Sequence, residues 1–504
     1  MNRALRDIVI VGGGTAGWMA AAALSKVVGT QNYSITLVES EQIGTVGVGE
    51  ATIPAISLFN NVLGLDEDEF VRETNATFKL GIEFIDWARL GHTYHHPFGL
   101  FAGDLGGIGF SHYWFRWLKA GGDPDNLMFS AEAEAARRGR FTRADGRPGL
   151  PKLHYAFHFD ASLYAAYLRR FAEARGVVRV EGKVVRVRQH AETGFIEGLE
   201  LDDGRRLHGD FFFDCSGFRG LLIEETLKSG YEDWSRWLPM NRAAAMPCAR
   251  VEDPAPLTRS TAREAGWQWR IPLQHRTGNG YVFCNEFIAE QEAMDLLSRR
   301  LDGAALDEPR LLKFVTGRRK TCWVKNCLAL GLASGFLEPL ESTSIHLVQS
   351  GISKFLTLFP KNGCDPKLVD RFNWEMERDY VSVRDFVIAH YKVSERDDTP
   401  FWRYCRDMDA PDTLAAKLEL FRTRGEVLVD NHELFREVNW FAVLYGQGLV
   451  PQDHHPVADV MSDEELRIRL SGARKAILER VAAMPTHQEF IDRHCSALRS
   501  VDAA

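Results

Sequence analysis

An α/β fold built on a parallel, dinucleotide-binding sheet is predicted by three stretches of the 504-residue chain. Residues 8–11 are an unbroken apolar run, as a strand covered on both faces requires. Gly12, Gly14 and Gly17 follow at once as G-x-G-x-x-G, leading into a helical run at 18–24. A second strand at 34–38 ends in Glu39, about twenty residues on, where an acidic side chain accepts hydrogen bonds from a ribose. The first glycine permits the tight turn, the second lets the backbone approach a pyrophosphate, and the third lets the helix pack close to the strand. The open N–H groups of the helix start, at Thr15 and Ala16, then cradle the diphosphate.

The remaining composition narrows the function. The chain is 45% hydrophobic and 26% charged, as a globular protein is, and is long enough for two or three cores, or for one large fold with an added module. A net charge of −8 argues against nucleic acid or an anionic membrane as the main partner. The eight cysteines show no C-x-x-C spacing and no metal-ligand grouping, which suits reduced thiols and a cytoplasmic location. Arg3 and Arg6 before the apolar stretch 8–24 imitate a signal peptide, but the glycines inside it and the lack of a cleavage site favour the nucleotide fold. No other segment is long and apolar enough to span a membrane.

Taken in order, residues 41–54 carry several glycines and Pro54, and read as a loop able to lie along a cofactor. A helix is expected from Asp66, capped by the Asp66/Glu69 box, with Phe70, Val71, Thr74, Thr77 and Phe78 on one side and an end near Gly81. Residues 82–87 then read as a strand. Residues 92–117 set histidines, phenylalanines and tryptophans among glycines. That pattern suits either a lid for a flat ligand or a buried aromatic cluster under a long loop. Residues 161–174 form a helix, 177–187 and 194–201 alternate like strands, and Asp202-Asp203-Gly204 turns between strands. Residues 211–213 are another buried strand, running into a glycine turn at the sheet's carboxyl edge, where ligands bind in open α/β sheets. Strands recur at 266–287. From 365 the chain is helical and charged, with a capping box at Ser462/Glu465 and a stop at Pro485. The expected division is therefore 1–364, a cofactor and substrate region, and 365–504, a mostly helical module covering the substrate site.

Gly266-Trp267-Gln268-Trp269-Arg270-Ile271-Pro272 places two tryptophans on one side of a strand, which alone describes a core. The W-x-W-x-I-P pattern also resembles the signature of flavin-dependent halogenases of the tryptophan-halogenase family. Phe78-Lys79-Leu80-Gly81 resembles that family's lysine motif, and Gly47-Val48-Gly49-Glu50-Ala51-Thr52 its flavin strap. Asp214-Cys215-Ser216-Gly217-Phe218-Arg219, and the run from Gly331 through Glu341 to Thr343, resemble its other flavin-side stretches. These unrelated motifs keep the family's order over nearly the whole chain.

The resemblance implies the FAD-binding, Rossmann-like fold of aromatic hydroxylases, with mixed sheets and a helical C-terminal module. It implies that FADH2 and O2 give a flavin hydroperoxide, which chloride or bromide attacks to give hypohalous acid. That oxidant passes to Lys79, which orients it or carries the halogen as a haloamine, and Glu341 polarises it or takes the ring proton. FAD would contact Gly12, Gly14, Thr15, Ala16, Gly17, Glu39, Gly49, Ala51, Val184, Leu332 and Ile345. Thr343 and Ser344 match the halide site at the start of an apolar helix. Trp267 and Trp269 would keep the organic substrate from the flavin, and no metal is implied. His96-Pro97-Phe98 resembles part of the substrate's aromatic sandwich, and Trp440 lies in the module region that supplies the rest. The tyrosine pair and glutamate that grip free tryptophan are not recognisable, so the chain is closer to the indole-type, broad-substrate members. A separate NAD(P)H-dependent flavin reductase is the expected partner, and a homodimer stays open.

By residue types alone, Lys79 reads as a surface lysine on a helix near Asn75 or Glu83, and Glu341 as a carboxylate favoured by a helix dipole. The competing functions are a single-component flavin monooxygenase that hydroxylates an aromatic ring, and a non-catalytic flavin-binding protein.

Overall fold

The computed structural model describes residues 5–42, 49–102, 105, 107–143 and 152–497. Residues 43–48 of the expected loop 41–54, among them Gly47 and Val48 of the strap motif, lie outside them. The chain folds as two compact units that alternate along it. The first is Met1–Asn75, Phe159–Ser235 and Phe314–Tyr380; the second is Ala76–His158, Arg236–Lys313 and Val381–Ala504. The division between these units therefore does not fall at 364/365.

The first unit is organised by a six-stranded sheet in the order Trp323–Val324, Cys327–Ala329, Phe211–Asp214, Asp7–Val11, Ser34–Glu39, Val178–Glu181. All but the first of these strands pair in parallel, with Ile10 between Leu37 and Phe213. Helix Thr15–Val27 packs with helices Ala161–Glu173 and Ser344–Thr357. Val9, Val11, Val38 and Phe212 of the sheet share a core with Val184, Ile196, Leu199 and Leu201 of a three-stranded antiparallel sheet. Burial of these branched and aromatic side chains on both faces of the parallel sheet explains the unbroken apolar runs.

The second unit carries a seven-stranded sheet in the order Arg310–Lys313, Arg242–Ala249, Arg276–Phe283, Gly266–Pro272, Thr258–Arg263, Gly81–Ile85, Thr93–Pro97. Thr258–Arg263 and Gly81–Ile85 pair in parallel, and every other pair is antiparallel. Helices Glu437–Gly446, Asp463–Ala482 and His487–His494 belong to it. Ser462 caps the second of these by accepting from the Glu465 N–H, as its spacing predicts.

Several local expectations hold and others are corrected. Asp66 caps a helix by accepting from the Glu69 N–H, but that helix is Glu67–Glu73, seven residues, and does not run to Gly81. Thr77–Lys79 is instead a strand, paired antiparallel with Ala156–Asp160. Cross-strand pairing wins here because Thr77 and Phe78 are as suited to a pleated surface as to a helix face. Within the expected loop 41–54, Gly49–Ala51 is a strand. Residues 92–117 contain strand Thr93–Pro97 and the greater part of helix Phe110–Lys119. Their aromatic side chains Tyr94, Phe101, Phe110, Tyr113, Trp114 and Phe115 are buried, so they form the core cluster rather than a lid. Among the described residues, no helix is long and apolar enough to cross a membrane, and no His, Cys, Asp and Glu side chains group as metal ligands.

Candidate functional site

In the first unit the glycine turn is shaped by close approach. Gly12 holds φ +113°, and a Cβ there would meet the Cys215 carbonyl at 2.2 Å. A Cβ on Gly17 would meet the Gly12 carbonyl oxygen at 1.9 Å, so the helix reaches the strand only with hydrogen at that position. Gly14 is different: nothing lies within 4 Å of a Cβ placed there. Gly14 is also the N-cap of helix Thr15–Val27 and makes no side-chain cap, so the first-turn N–H groups at Thr15, Ala16 and Gly17 open on that space. Glu39 closes the turn, its carboxylate against Gly13 and its Oε1 paired with Arg179. Open space, uncapped donors and an adjacent carboxylate fit the diphosphate and ribose of FAD.

The Asp214 turn is a feature that composition did not signal. Asp214 is wholly buried, and its carboxylate bonds to residues that follow it within the turn. Oδ1 accepts from the Ser216 N–H at 3.0 Å and its hydroxyl at 2.6 Å, while Oδ2 accepts from Leu222 and Ile223 N–H, both at 2.8 Å. A carboxylate taking four donors fixes the chain beside the glycine turn. Of the remaining expected FAD contacts, Val184 packs into the core and Ile345 is buried, while Leu332 is half-buried in the turn Gly331–Ala333.

Glu341 ends a single 3-10 turn, Pro339–Glu341, and is 1% exposed. Ser342 then takes the left-handed φ of 59°, and Thr343 becomes the N-cap of helix Ser344–Thr357. Thr343 makes no side-chain cap, and its buried Oγ1 has no hydrogen-bond partner among the described residues. A hydroxyl left with nothing to bond, beside the open N–H groups of a helix start, fits an anion the size of chloride or bromide. On the same helix the His346 imidazole is pushed down to about 4 by burial, so it is neutral near pH 7.

In the second unit Lys79 is fully buried on its strand, not a surface lysine on a helix. Its ammonium lies 5.0 Å from the centre of the Phe98 ring. Phe98 is held there by its N–H, which donates to the Leu80 carbonyl at 3.0 Å. His96 is buried and its Nε2 meets the Asn439 amide at 3.0 Å. Trp440 is fully buried, edge-on to Phe386 at 5.0 Å, and Phe386 packs against His96. Trp440 thus backs His96 through Phe386.

Trp267 and Trp269 project to the same side of strand Gly266–Pro272, their rings 6.1 Å apart, 1% and 7% exposed. Trp269 lies over its cross-strand partner Gly280, where a Cβ would meet the ring at 2.0 Å. Trp267 packs on Trp87 at 6.4 Å, and its buried Nε1 has no hydrogen-bond partner among the described residues. Two residues near Lys79 escaped the sequence, His158 and His487, because isolated histidines carry no pattern. His158 is buried opposite Thr77, and His487 accepts a hydrogen bond from the Phe78 N–H.

Comparison with known proteins identifies the family. Residues 7–463 match the family model for tryptophan halogenase. The chain is 36% identical to the tryptophan 6-halogenase ThaL of Streptomyces albogriseolus, over 90% of this chain and 92% of that one. It superposes on Xcc4156, a flavin-dependent halogenase from Xanthomonas campestris, with a TM-score of 0.96, 48% identity and coverage of 98% and 99%. It superposes on BrvH, a flavin-dependent halogenase from Brevundimonas sp. BAL3, with a TM-score of 0.93, 46% identity and coverage of 97% and 99%. The chain therefore belongs to the tryptophan halogenase family of flavin-dependent enzymes that halogenate aromatic substrates.

Proposed function

We propose that this enzyme halogenates an indole-like ring by electrophilic substitution, with Lys79 directing hypohalous acid onto it. The observation that carries the reading is the burial of Lys79 with its ammonium 5.0 Å from the Phe98 ring. A buried ammonium beside an aromatic ring offers a polar oxidant a hydrogen-bond donor next to a flat surface on which an aromatic substrate can stack. Reduced FAD, when bound, supplies with O2 the oxidising equivalent that converts chloride or bromide to hypohalous acid. Gly12, Gly14, Thr15, Ala16, Gly17 and Glu39 hold the dinucleotide, with Gly49, Ala51, Leu332 and Ile345 along it.

Thr343 Oγ1 and the N–H groups from Ser344 onward hold the halide. Lys79 donates a hydrogen bond to the oxygen of hypohalous acid or forms a haloamine with it, and Phe98 presents the substrate ring. Glu341 accepts the proton that leaves the ring carbon, or polarises the oxidant. Trp267 and Trp269 keep the organic substrate away from the flavin, which favours halogenation over hydroxylation. FAD would fill the G-x-G-x-x-G fingerprint, so a separate NAD(P)H-dependent flavin reductase would supply the reduced cofactor.

The test combines photoreduced FAD, O2, bromide and indole, followed by mass spectrometry. Brominated indole is expected from the wild type and none from Lys79→Ala, which should still bind FAD. Hydroxylated indole would establish a monooxygenase instead, and full bromination by Lys79→Ala would remove the lysine from the chemistry.

A further inference from the structure

The strand Thr77–Lys79 is only three residues long, yet its terminal residue must hold an ammonium in one place. Its neighbours show how. Thr77 and Lys79 project to the same face of the strand, and Phe78 to the other. The Phe78 ring is sunk among Phe141, Tyr155, Phe157 and Phe490. Leu80, the next residue, donates its N–H to Pro256 and accepts from the Phe98 N–H.

Two imidazoles complete the frame. The Phe78 N–H donates to His487 Nε2 at 3.1 Å, and His487 Nδ1 meets the Pro254 carbonyl at 2.7 Å. A carbonyl only accepts, so Nδ1 carries the proton and Nε2 the lone pair. On the other face, the single Thr77 hydroxyl proton goes to the Pro272 carbonyl at 2.6 Å. His158 Nδ1, 3.1 Å from that hydroxyl oxygen, must therefore donate to it. His158 Nε2 is left to accept from the Thr258 hydroxyl at 2.8 Å. Both rings are thus neutral and of one tautomer, each with both nitrogens used. Burial agrees: it pushes His487 down to about 4 and His158 well below its ordinary value, the latter with help from the Lys79 charge.

We infer that His487 and His158 are positioning residues for Lys79, two neutral imidazoles that lock the strand Thr77–Lys79 from its edge and from its Lys79-bearing face. The inference rests on the reading of Lys79 as the residue that directs the oxidant. Neither histidine touches substrate or halide in this scheme. Each acts through the backbone or hydroxyl it holds, and an error of about 1 Å at a directing group can cost on the order of a hundredfold in rate.

The experiment measures bromoindole formed per FADH2 oxidised, with bromide, O2 and indole, for Lys79→Ala, His487→Leu, His487→Gln and Thr258→Val. Gln can accept from the Phe78 N–H and donate to the Pro254 carbonyl, whereas Leu can do neither. His487→Leu should lose about tenfold or more of the yield, with free hypobromous acid rising in step, and His487→Gln should return to within about twofold of wild type. Thr258→Val keeps the shape but leaves His158 Nε2 without its donor, and should lose about tenfold. Thr258→Val decides the matter should His487→Leu not fold. Wild-type yield in either His487→Leu or Thr258→Val, with Lys79→Ala inactive, overturns the positioning role alone. Equal losses in the Leu and Gln variants also overturn it, since they would report packing only. Full yield in Lys79→Ala overturns the underlying reading and this one together.

Discussion

The ammonium of Lys79 faces the ring of Phe98 at 5.0 Å from its centre, and the backbone pair between Phe98 and Leu80 keeps the ring there. The ring offers both a cation–π partner and a flat surface for a second aromatic. Phe98→Ala removes both. It should lower kcat/KM for indole by about 5- to 50-fold, the equivalent of about 1–2 kcal/mol. Steady-state bromination checks this, and an unchanged value would mean that the substrate stacks elsewhere.

Glu341 is buried at the end of its 3-10 turn, one residue before the left-handed Ser342. Glu341→Gln keeps its shape and one acceptor but cannot take up a proton. Turnover should fall by about 10²-fold, within the range of general acid–base groups. Equal turnover with intact melting behaviour would leave Glu341 only a structural role beside the helix start.

Trp269 lies across Gly280, with no room for a Cβ. Gly280→Val should displace the indole ring at a cost of about 1–3 kcal/mol of stability, as overpacking does. The same variant tests shielding: product analysis should show hydroxylated or uncoupled turnover rising at the expense of halogenation. A variant of wild-type stability and product pattern would show that Trp269 is not a barrier.

Helix Glu437–Gly446 buries Trp440, Phe441, Ala442, Val443 and Leu444, and so presents core rather than a carboxylate pocket. An ammonium and carboxylate placed beside such a surface lose hydration without matched partners. In a competition under one flavin supply, indole should be halogenated faster than free tryptophan. Preference for tryptophan would locate its polar grip on other residues.

His487 is buried and neutral, with its pKa pushed down to about 4 by burial, against an ordinary value of 6.5. The sign follows from proton uptake. Between those values the unfolded chain binds a proton that the native one refuses, so stability falls as pH drops from about 6.5 to about 4 and levels off below. This one residue contributes about 3 kcal/mol to that fall. Urea midpoints at pH 7, 5.5 and 4.5 should decline more steeply in wild type than in His487→Gln, which has no group to titrate there. Parallel declines would assign the acid sensitivity to other groups.

What the sequence determined by itself was local or motif-borne. Gly17 specifies its place because the clash it avoids is with Gly12 of the same βα unit, and Gly14 leaves open space at the helix start. Asp66 and Ser462 cap helices because an acceptor and its N–H lie three residues apart. Lys79, Glu341, Thr343 and the tryptophan pair were named from motif order, with no information on their surroundings. The tertiary structure alone decided that Lys79 ends a strand rather than a helix. Its strand partners are Ala156, Phe157 and His158, and its further ties come from Pro256, Pro272 and His487. A segment with both helical and strand propensity takes the form its distant partners reward, and those partners lie in three separate stretches of an interleaved chain. For the same reason His158 and His487 were invisible in the sequence: a histidine becomes informative only when the groups facing its two nitrogens are known.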